Sequence, residues 1–121
     1  TPIKSSAASD VYKRQTLSFT GPDINDYLQT YNISMAFMAC TGVTMKSGLT
    51  NASAEEYITK KAIAENANSI ILLADHSKFG RISLMTYSSM EKLDAIVTDQ
   101  PLPEEYDSFC QEHGIRVMTI D

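Results

Sequence analysis

A continuous apolar run that turns abruptly polar, in residues 69–81, constrains the fold of this chain more than any other stretch. Residues 70–74 are all apolar and mostly branched, which is typical of a strand buried on both faces inside a parallel sheet. The run is followed by four polar residues: Asp75, His76, Ser77 and Lys78. Open α/β sheets bind ligands at the carboxyl ends of their strands. The stretch therefore predicts a parallel sheet with a polar, ligand-binding edge.

Length and composition limit the class of protein. The chain has 121 residues, of which 43% are hydrophobic, enough for one domain with a core. The net charge of −5 argues against direct binding of nucleic acid by this part of the chain. No apolar run approaches the ~20 residues that span a bilayer, so no membrane partner is expected. Cys40 ends an apolar run, whereas Cys110 lies in a polar, helix-like segment, so we predict neither a disulfide framework nor a zinc site. We therefore expect the protein to lie in a reducing cytoplasm.

The first residues differ from the rest. Residues 1–15 have no sustained hydrophobic period and are rich in Ser, Ala and Lys, as in disordered segments. The segment Asp10-Val-Tyr-Lys-Arg-Gln15 is also the translation of GATGTGTATAAGAGACAG, which resembles a transposon adapter used in library preparation. We expect residues 1–15 to be either adapter read-through or a flexible tail, and residues 16–121 to be the domain.

Strand-like and helix-like patterns alternate from residue 16 onwards. The predicted strands are residues 16–20, 35–40, 69–74, 93–98 and 115–120, with an extended segment at 82–87. The predicted helices are residues 23–31, 53–66 and 103–113, with a helical turn at 88–92 and a loop at 41–50. This alternation implies βαβ units with right-handed crossovers. We predict an α/β fold with a mainly parallel, Rossmann-like sheet and helices on both faces.

The signature Leu73-Ala-Asp-His-Ser-Lys-Phe-Gly-Arg81 resembles one near the end of the effector-binding domain of DeoR-type repressors, bacterial regulators that sense phosphorylated sugars. The resemblance extends through Gly48-Leu-Thr50 and covers residues 16–121. It implies the latter part of a fold similar to those of ribose-5-phosphate isomerase, glucosamine-6-phosphate deaminase and CoA-transferases. The family's helix-turn-helix and its Gly-Thr-Thr-like phosphate loop are expected to be missing. DNA binding, and assembly as a homo-oligomer, are therefore implied only for the full-length protein.

Lys78 is the sharpest candidate for ligand contact. Taken alone, it is an ordinary solvated loop lysine. The resemblance implies a cation facing a phosphate dianion, with Ser77 and nearby backbone N–H groups as further donors. The isomerase of this fold has a similar Ala-Asp-x-Ser-Lys run, whose lysine approaches the substrate phosphate.

Glu56 and Lys60 lie one helical turn apart on the helix predicted at residues 53–66. Glu56, three residues after Ser53, completes a capping box and could pair with Lys60 on a wet surface. Alternatively, both side chains point into the pocket. The resemblance favours the second interpretation, because the family has a glutamate and a lysine with this spacing ahead of its signature.

Several other candidates each have two interpretations. Asp75 either binds a sugar hydroxyl or fixes the turn, and His76 either contacts the ligand or makes an orienting hydrogen bond. Phe79 is expected to be a packing residue. His113 is distant in sequence, so no metal site is predicted. The pair Thr98-Asp99 matches a Thr-Asp pair of the family but could equally cap a turn.

Thr41 and Gly42 follow a buried strand, and we expect their backbone to approach the ligand. The family more often has glycine where Ala39 stands, which weakens this expectation.

We predict a sugar-phosphate-sensing domain of a DeoR-family repressor, with no catalytic residues. The alternative is a fragment of a sugar-phosphate isomerase or deaminase, which needs a positioned general base. The candidate loops offer Glu56 but no Asp-rich catalytic run. Because the chain has neither a G-x-G-x-x-G nor a P-loop motif, no cofactor is expected.

Overall fold

A computed structural model describes residue 26 and residues 28–120. In chain order the elements are β1 (Ile33–Met38), β2 (Gly42–Thr44), β3 (Gly48–Asn51), α1 (Ala54–Asn66), β4 (Ala67–Leu73), β5 (Met85–Ser88), β6 (Ala95–Thr98), α2 (Glu104–Glu112) and β7 (Arg116–Thr119). Two 3₁₀ helices cover His76–Lys78 and Met90–Lys92. The predictions for residues 1–15 and 16–20 lie outside the described residues, as do residues 23–25 and 27 of the predicted helix 23–31. In this part of the chain no helix combines the length and the hydropathy needed to cross a bilayer.

The main sheet has four strands in the order β1-β4-β6-β7, and every pair in it is parallel. Leu72, in the middle of the sheet, is in register with Met38 on one side and Ile96 on the other. The chain steps from β1 to β4 through α1 and from β6 to β7 through α2. The predicted α/β class with a mainly parallel, Rossmann-like sheet is confirmed.

One face of this sheet forms the core. Its buried side chains belong to a single cluster with residues of both helices: Ala36, Met38, Ile70, Leu72, Ile96, Ala64, Tyr106 and Cys110. The side chains that alternate with these on β1 point to the opposite face, since successive strand residues face opposite ways. There Met35 is 51% exposed and Phe37 52% exposed. Helices α1 and α2 both pack on the first face, so the predicted helices on both faces are not found among the described residues.

The four strands of the main sheet begin and end within two residues of the predicted positions, and the shifts have local causes. The extended segment predicted at residues 82–87 is β5, which begins three residues later, at Met85. β1 ends at Met38 rather than residue 40, because the carbonyl oxygen of Ala39 accepts hydrogen bonds from side chains instead of a neighbouring strand. β6 begins at Ala95 rather than residue 93, because the N–H of Leu93 donates to the Met90 carbonyl at 3.1 Å and closes a 3₁₀ helix.

The predicted helix ends are confirmed by their capping geometry. At the start of α1, the N–H of Glu56 donates to Ser53 Oγ at 3.3 Å. At the end of α2, Gly114 has a φ of 68°, which L-residues with a side chain rarely adopt. The N–H of Ile115 then donates to the Cys110 carbonyl at 2.8 Å, as in a Schellman motif.

The predicted loop at residues 41–50 is wrong: these residues form the β2–β3 hairpin. The hairpin pairs with β5, so that a second, antiparallel sheet has the order β2-β3-β5. Gly48, with a φ of 75°, ends the turn, and the N–H of Ser47 donates to Thr44 Oγ1 at 2.9 Å. The strands are only three and four residues long, too short to show a hydrophobic period, and the two glycines of the segment suggest a loop.

Candidate functional site

The polar signature after β4 folds into a tight 3₁₀ turn. Asp75 caps it by accepting hydrogen bonds from the backbone N–H of Ser77, at 2.8 Å, and from the Ser77 hydroxyl. These two bonds hold the pKa of the Asp75 carboxyl below its usual range. Asp75 therefore fixes the turn through Oδ1, and its contact with a sugar hydroxyl stays a prediction. Ser77 shares that work, because both its N–H and its hydroxyl are used within the turn.

Lys78 ends the same turn, and its backbone N–H donates to the Asp75 carbonyl at 3.1 Å. The side chain is partly exposed. With the described residues its ammonium makes no hydrogen bond and no ion pair within 4 Å, although its charge is close enough to lower the Asp75 pKa. Lys78 thus presents a cation that the described part of the domain does not neutralise by direct contact.

The buried thiol of Cys40 marks the point where the ends of β1 and β4 meet. Burial raises its pKa to about 11, and the charges of Lys60 and Lys78 oppose this rise. Asp75 acts on the same thiol in the other direction. Lys60 reaches the segment after β1, because its Nζ donates to the Ala39 carbonyl at 2.9 Å. Asp75 and Lys78 follow β4, which pairs in parallel with β1, so all three residues lie at the same edge of the sheet.

Cys40 should therefore be a poor nucleophile in the folded protein. Because the thiolate is the reacting form, a pKa raised from 9.0 to about 11 leaves about a hundredfold less thiolate near pH 8. We expect iodoacetamide to alkylate Cys40 at least that much more slowly in the native protein than in urea, as measured by peptide mass spectrometry. Native and unfolded rates within a factor of ten would contradict this burial.

A polar network joins α1 to the ends of β1 and β3. Lys60 Nζ donates to the Ala39 carbonyl at 2.9 Å and to Asn51 Oδ1 at 3.2 Å. Asn51 Nδ2 donates to Glu56 Oε2 at 2.9 Å. The Tyr87 hydroxyl donates to the same Ala39 carbonyl at 2.8 Å. Glu56 and Lys60 thus share one buried partner, Asn51, and their role in ligand binding stays a prediction.

Asn51 was not among the residues singled out from the sequence. It is the last residue of β3 and is only 3% exposed. Asparagine is depleted in strands, so a buried one is a signal of a polar network. That signal was hidden because residues 41–50 resembled a loop, where asparagine is common.

Replacing Asn51 by alanine should lower the free energy of unfolding by about 1–3 kcal/mol. The change removes the hydrogen bonds that the buried Asn51 amide makes to the half-buried, charged side chains of Glu56 and Lys60. Hydrogen bonds to charged groups contribute about this much. Urea denaturation measures the loss. Asn68→Ala is the control, because Asn68 is exposed on β4 and its loss should cost less than about 0.5 kcal/mol. Equal costs for the two variants would mean that the network is not stabilising.

Thr41 and Gly42 are held by the hairpin. The N–H of Thr41 donates to the Thr50 carbonyl at 2.9 Å, and Thr50 Oγ1 donates to the Gly42 carbonyl at 3.0 Å. A Cβ at Gly42 would lie 2.3 Å from the carbonyl oxygen of Arg81. Close packing against the signature segment therefore accounts for this glycine, and contact of either residue with a ligand stays a prediction.

His76 makes the orienting hydrogen bond that was one of its two interpretations. Its Nδ1 lies 2.9 Å from Asp99 Oδ2, and its backbone N–H donates to Asp99 Oδ1 at 2.7 Å. Asp99 follows β6, so this contact ties the turn after β4 to the neighbouring strand. Phe79 packs edge-on against Tyr106, with ring centroids 5.6 Å apart, as expected of a packing residue. Across residues 28–120, no group of three or more His, Cys, Asp or Glu side chains could hold a metal ion.

A parallel sheet with an Asp-His-Ser-Lys turn at its carboxyl edge places this chain among the α/β proteins that have a polar strand edge. The family model of the DeoR C-terminal sensor domain matches residues 1–100. The chain belongs to this family.

Curated relatives agree with this membership. The chain is 51% identical over 106 residues to the HTH-type transcriptional regulator IolR of Bacillus subtilis, a match that covers 88% of this chain and 42% of IolR. It is 28% identical over 106 residues to the HTH-type transcriptional regulator GlpR of Haloferax volcanii, with the same coverage. The Glycerol-3-phosphate regulon repressor of Escherichia coli is 29% identical over 92 residues, covering 76% of this chain and 36% of the repressor. The chain thus spans about two fifths of the length of these relatives.

Proposed function

We propose that this chain is the effector-sensing part of a bacterial transcription repressor of sugar metabolism, and that it binds a phosphorylated sugar. In the full-length protein, effector binding would change the affinity of an N-terminal helix-turn-helix domain for DNA, in a homo-oligomer. The relatives are named as transcription regulators, and one is named for the glycerol-3-phosphate regulon. Because glycerol 3-phosphate is a phosphate ester, the name of that relative supports a phosphate ester as the class of ligand for this chain.

One observation carries the proposal: Lys60, which contacts the Ala39 carbonyl after β1, and Lys78, in the turn after the neighbouring β4, lie at one sheet edge in a chain whose net charge is −5. A negatively charged protein repels a phosphate dianion unless cations are concentrated where it binds. Lys78 supplies a cation without a direct partner among the described residues, and Lys60 supplies a second from α1. The hydroxyls of the sugar would meet the polar residues around them, His76 and Asp75.

The interpretation as an enzyme fragment is less well supported. An isomerase or deaminase needs a carboxylate placed as a general base. The Glu56 carboxylate accepts a hydrogen bond from Asn51, Asp75 accepts two from Ser77, and Asp99 accepts two from His76 and one from Thr98. These bonds give each carboxylate a structural role, and none of the three lies in an Asp-rich catalytic run.

The direct test is a thermal-shift screen of the full-length protein. The panel contains glucose 6-phosphate, fructose 6-phosphate, ribose 5-phosphate, glycerol 3-phosphate and inorganic phosphate, with each unphosphorylated sugar as its matched control. We expect at least one phosphate ester to raise the melting temperature, because a ligand that binds only the folded state stabilises it. The same ester should change the affinity of the protein for its operator DNA. A response to free sugars but not to their esters would contradict the proposal.

A further inference from the structure

The contact between His76 and Asp99 engages both oxygens of one carboxylate. Oδ1 accepts from the His76 backbone N–H at 2.7 Å, and Oδ2 lies 2.9 Å from Nδ1 of the ring. These bonds hold the Asp99 pKa below its usual range, so the carboxylate is ionised at neutral pH. An ionised carboxylate only accepts hydrogen bonds, so Nδ1 must carry the hydrogen.

Stability does not account for this arrangement. The side chain of His76 is 54% exposed and that of Asp99 is 43% exposed. Exposed pairs of this kind contribute little to folding, because water screens them. Exposure does not prevent such a pair from positioning the ring, since a carboxylate bound to one ring nitrogen fixes both the orientation and the tautomer of an imidazole.

The second ring nitrogen, Nε2, has no hydrogen-bond partner among the described residues. In a neutral imidazole with hydrogen on Nδ1, Nε2 carries a lone pair and accepts hydrogen bonds. The 3₁₀ helix that contains His76 also contains Lys78, so the Nε2 acceptor and the Lys78 ammonium belong to the same turn. A ligand that satisfies both has an anionic group and a hydroxyl.

We infer that Asp99 is a positioning residue of the effector site: it holds His76 as the Nδ1–H tautomer, so that Nε2 accepts a hydrogen bond from a hydroxyl of the effector. This inference rests on the proposed function. It divides recognition between Lys78, which binds the phosphate, and His76, which distinguishes a phosphorylated polyol from phosphate alone.

The tautomer is tested first, without ligand, in the nitrogen-15-labelled full-length protein at about pH 8, where imidazoles are mostly neutral. Two-bond proton–nitrogen spectra report which ring nitrogen is protonated, and a His76→Gln variant assigns the His76 signals. Asp99→Asn keeps an oxygen for the backbone N–H but offers an amide N–H to Nδ1, so we expect the hydrogen to move to Nε2. His113 is the internal control: its Nδ1 lies 2.9 Å from the Phe109 carbonyl and should not change. An unchanged His76 tautomer in Asp99→Asn would overturn the inference.

Calorimetry then separates the inference from the proposed function. The probes are inorganic phosphate and whichever sugar phosphate of the panel binds the wild-type protein most tightly. We expect Asp99→Asn to lower the affinity for the sugar phosphate about tenfold, the effect of one lost hydrogen bond, and to leave the affinity for inorganic phosphate unchanged. Lys78→Ala should lower the affinity for both probes.

Two outcomes are decisive. In the first, Lys78→Ala lowers the affinity for the sugar phosphate, but wild type and Asp99→Asn bind it equally well. This result would overturn the inference and leave the proposed function standing. Failure of the wild-type protein to bind any phosphorylated probe would overturn the proposed function and the ligand role of His76 with it. Asp99→Glu, which keeps a carboxylate, should restore the Nδ1–H tautomer and part of the affinity.

Discussion

Leu72→Ala is expected to lower the free energy of unfolding by about 2–5 kcal/mol, the range for truncating a buried leucine. Leu72 is fully buried in the middle of the parallel sheet. It lies between Met38 of β1 and Ile96 of β6, so its removal leaves a cavity lined by two strands and the helices above them. Urea denaturation followed by circular dichroism measures the change.

Leu73→Ala is the matched control. Leu73 is the next residue of the same strand, is only partly buried, and faces the side of the sheet that exposes Met35 and Phe37. Its truncation should cost about 1–2 kcal/mol, because less apolar surface is removed from water there. A cost for Leu73→Ala equal to that for Leu72→Ala would show that the second face is as well covered as the first.

Lys78→Ala should weaken the binding of a phosphorylated sugar by about 1.5–3 kcal/mol, the range for a hydrogen bond to a charged group. This corresponds to a loss of about ten- to a hundredfold in affinity. The loss should be large because the Lys78 ammonium has no direct partner among the described residues and its charge is freely available to the ligand. Calorimetry with the full-length protein measures it.

Lys61→Ala is the control for the loss of one positive charge. Lys61 lies beside Lys60 in sequence, but its ammonium hydrogen-bonds the Tyr57 hydroxyl at 3.2 Å on the exposed side of α1. Its removal should leave affinity unchanged and stability within about 0.5 kcal/mol. If Lys78→Ala and Lys61→Ala bind the sugar phosphate equally well, Lys78 is a surface lysine and not a ligand contact.

The parallel sheet was predictable because residues 70–74 and 35–38 form apolar runs, which are typical of parallel strands. The expected burial on both faces was wrong for β1, an edge strand on which Met35 and Phe37 are half exposed. The ends of α1 and α2 were predictable because Ser53 and Gly114 act through local backbone geometry, which sequence spacing records.

The second sheet was not predictable in the same way. β2, β3 and β5 have three or four residues each, and the pairing of β3 with β5 joins residues that lie 34 to 39 positions apart, from Asn51–Met85 to Leu49–Ser88. Gly42 illustrates the difference. In sequence it resembles a flexible loop glycine, whereas in the fold it is required by the backbone of Arg81, which lies against it.

The same division holds for the candidate site. The amino-acid sequence alone determined the strand–turn unit, the capping roles and the charged residues at the sheet edge, because these depend on neighbours within a few positions. Only the tertiary structure decided which of these side chains are hydrogen-bonded to other residues of the domain. It placed Asn51 between Glu56 and Lys60, and it brought Asp99 to His76 across 23 residues of chain. The contact of Asp99 depends on β4 and β6 becoming neighbours in the sheet. The contacts of Asn51 depend on residues 48–51 forming a strand, which their own sequence does not indicate.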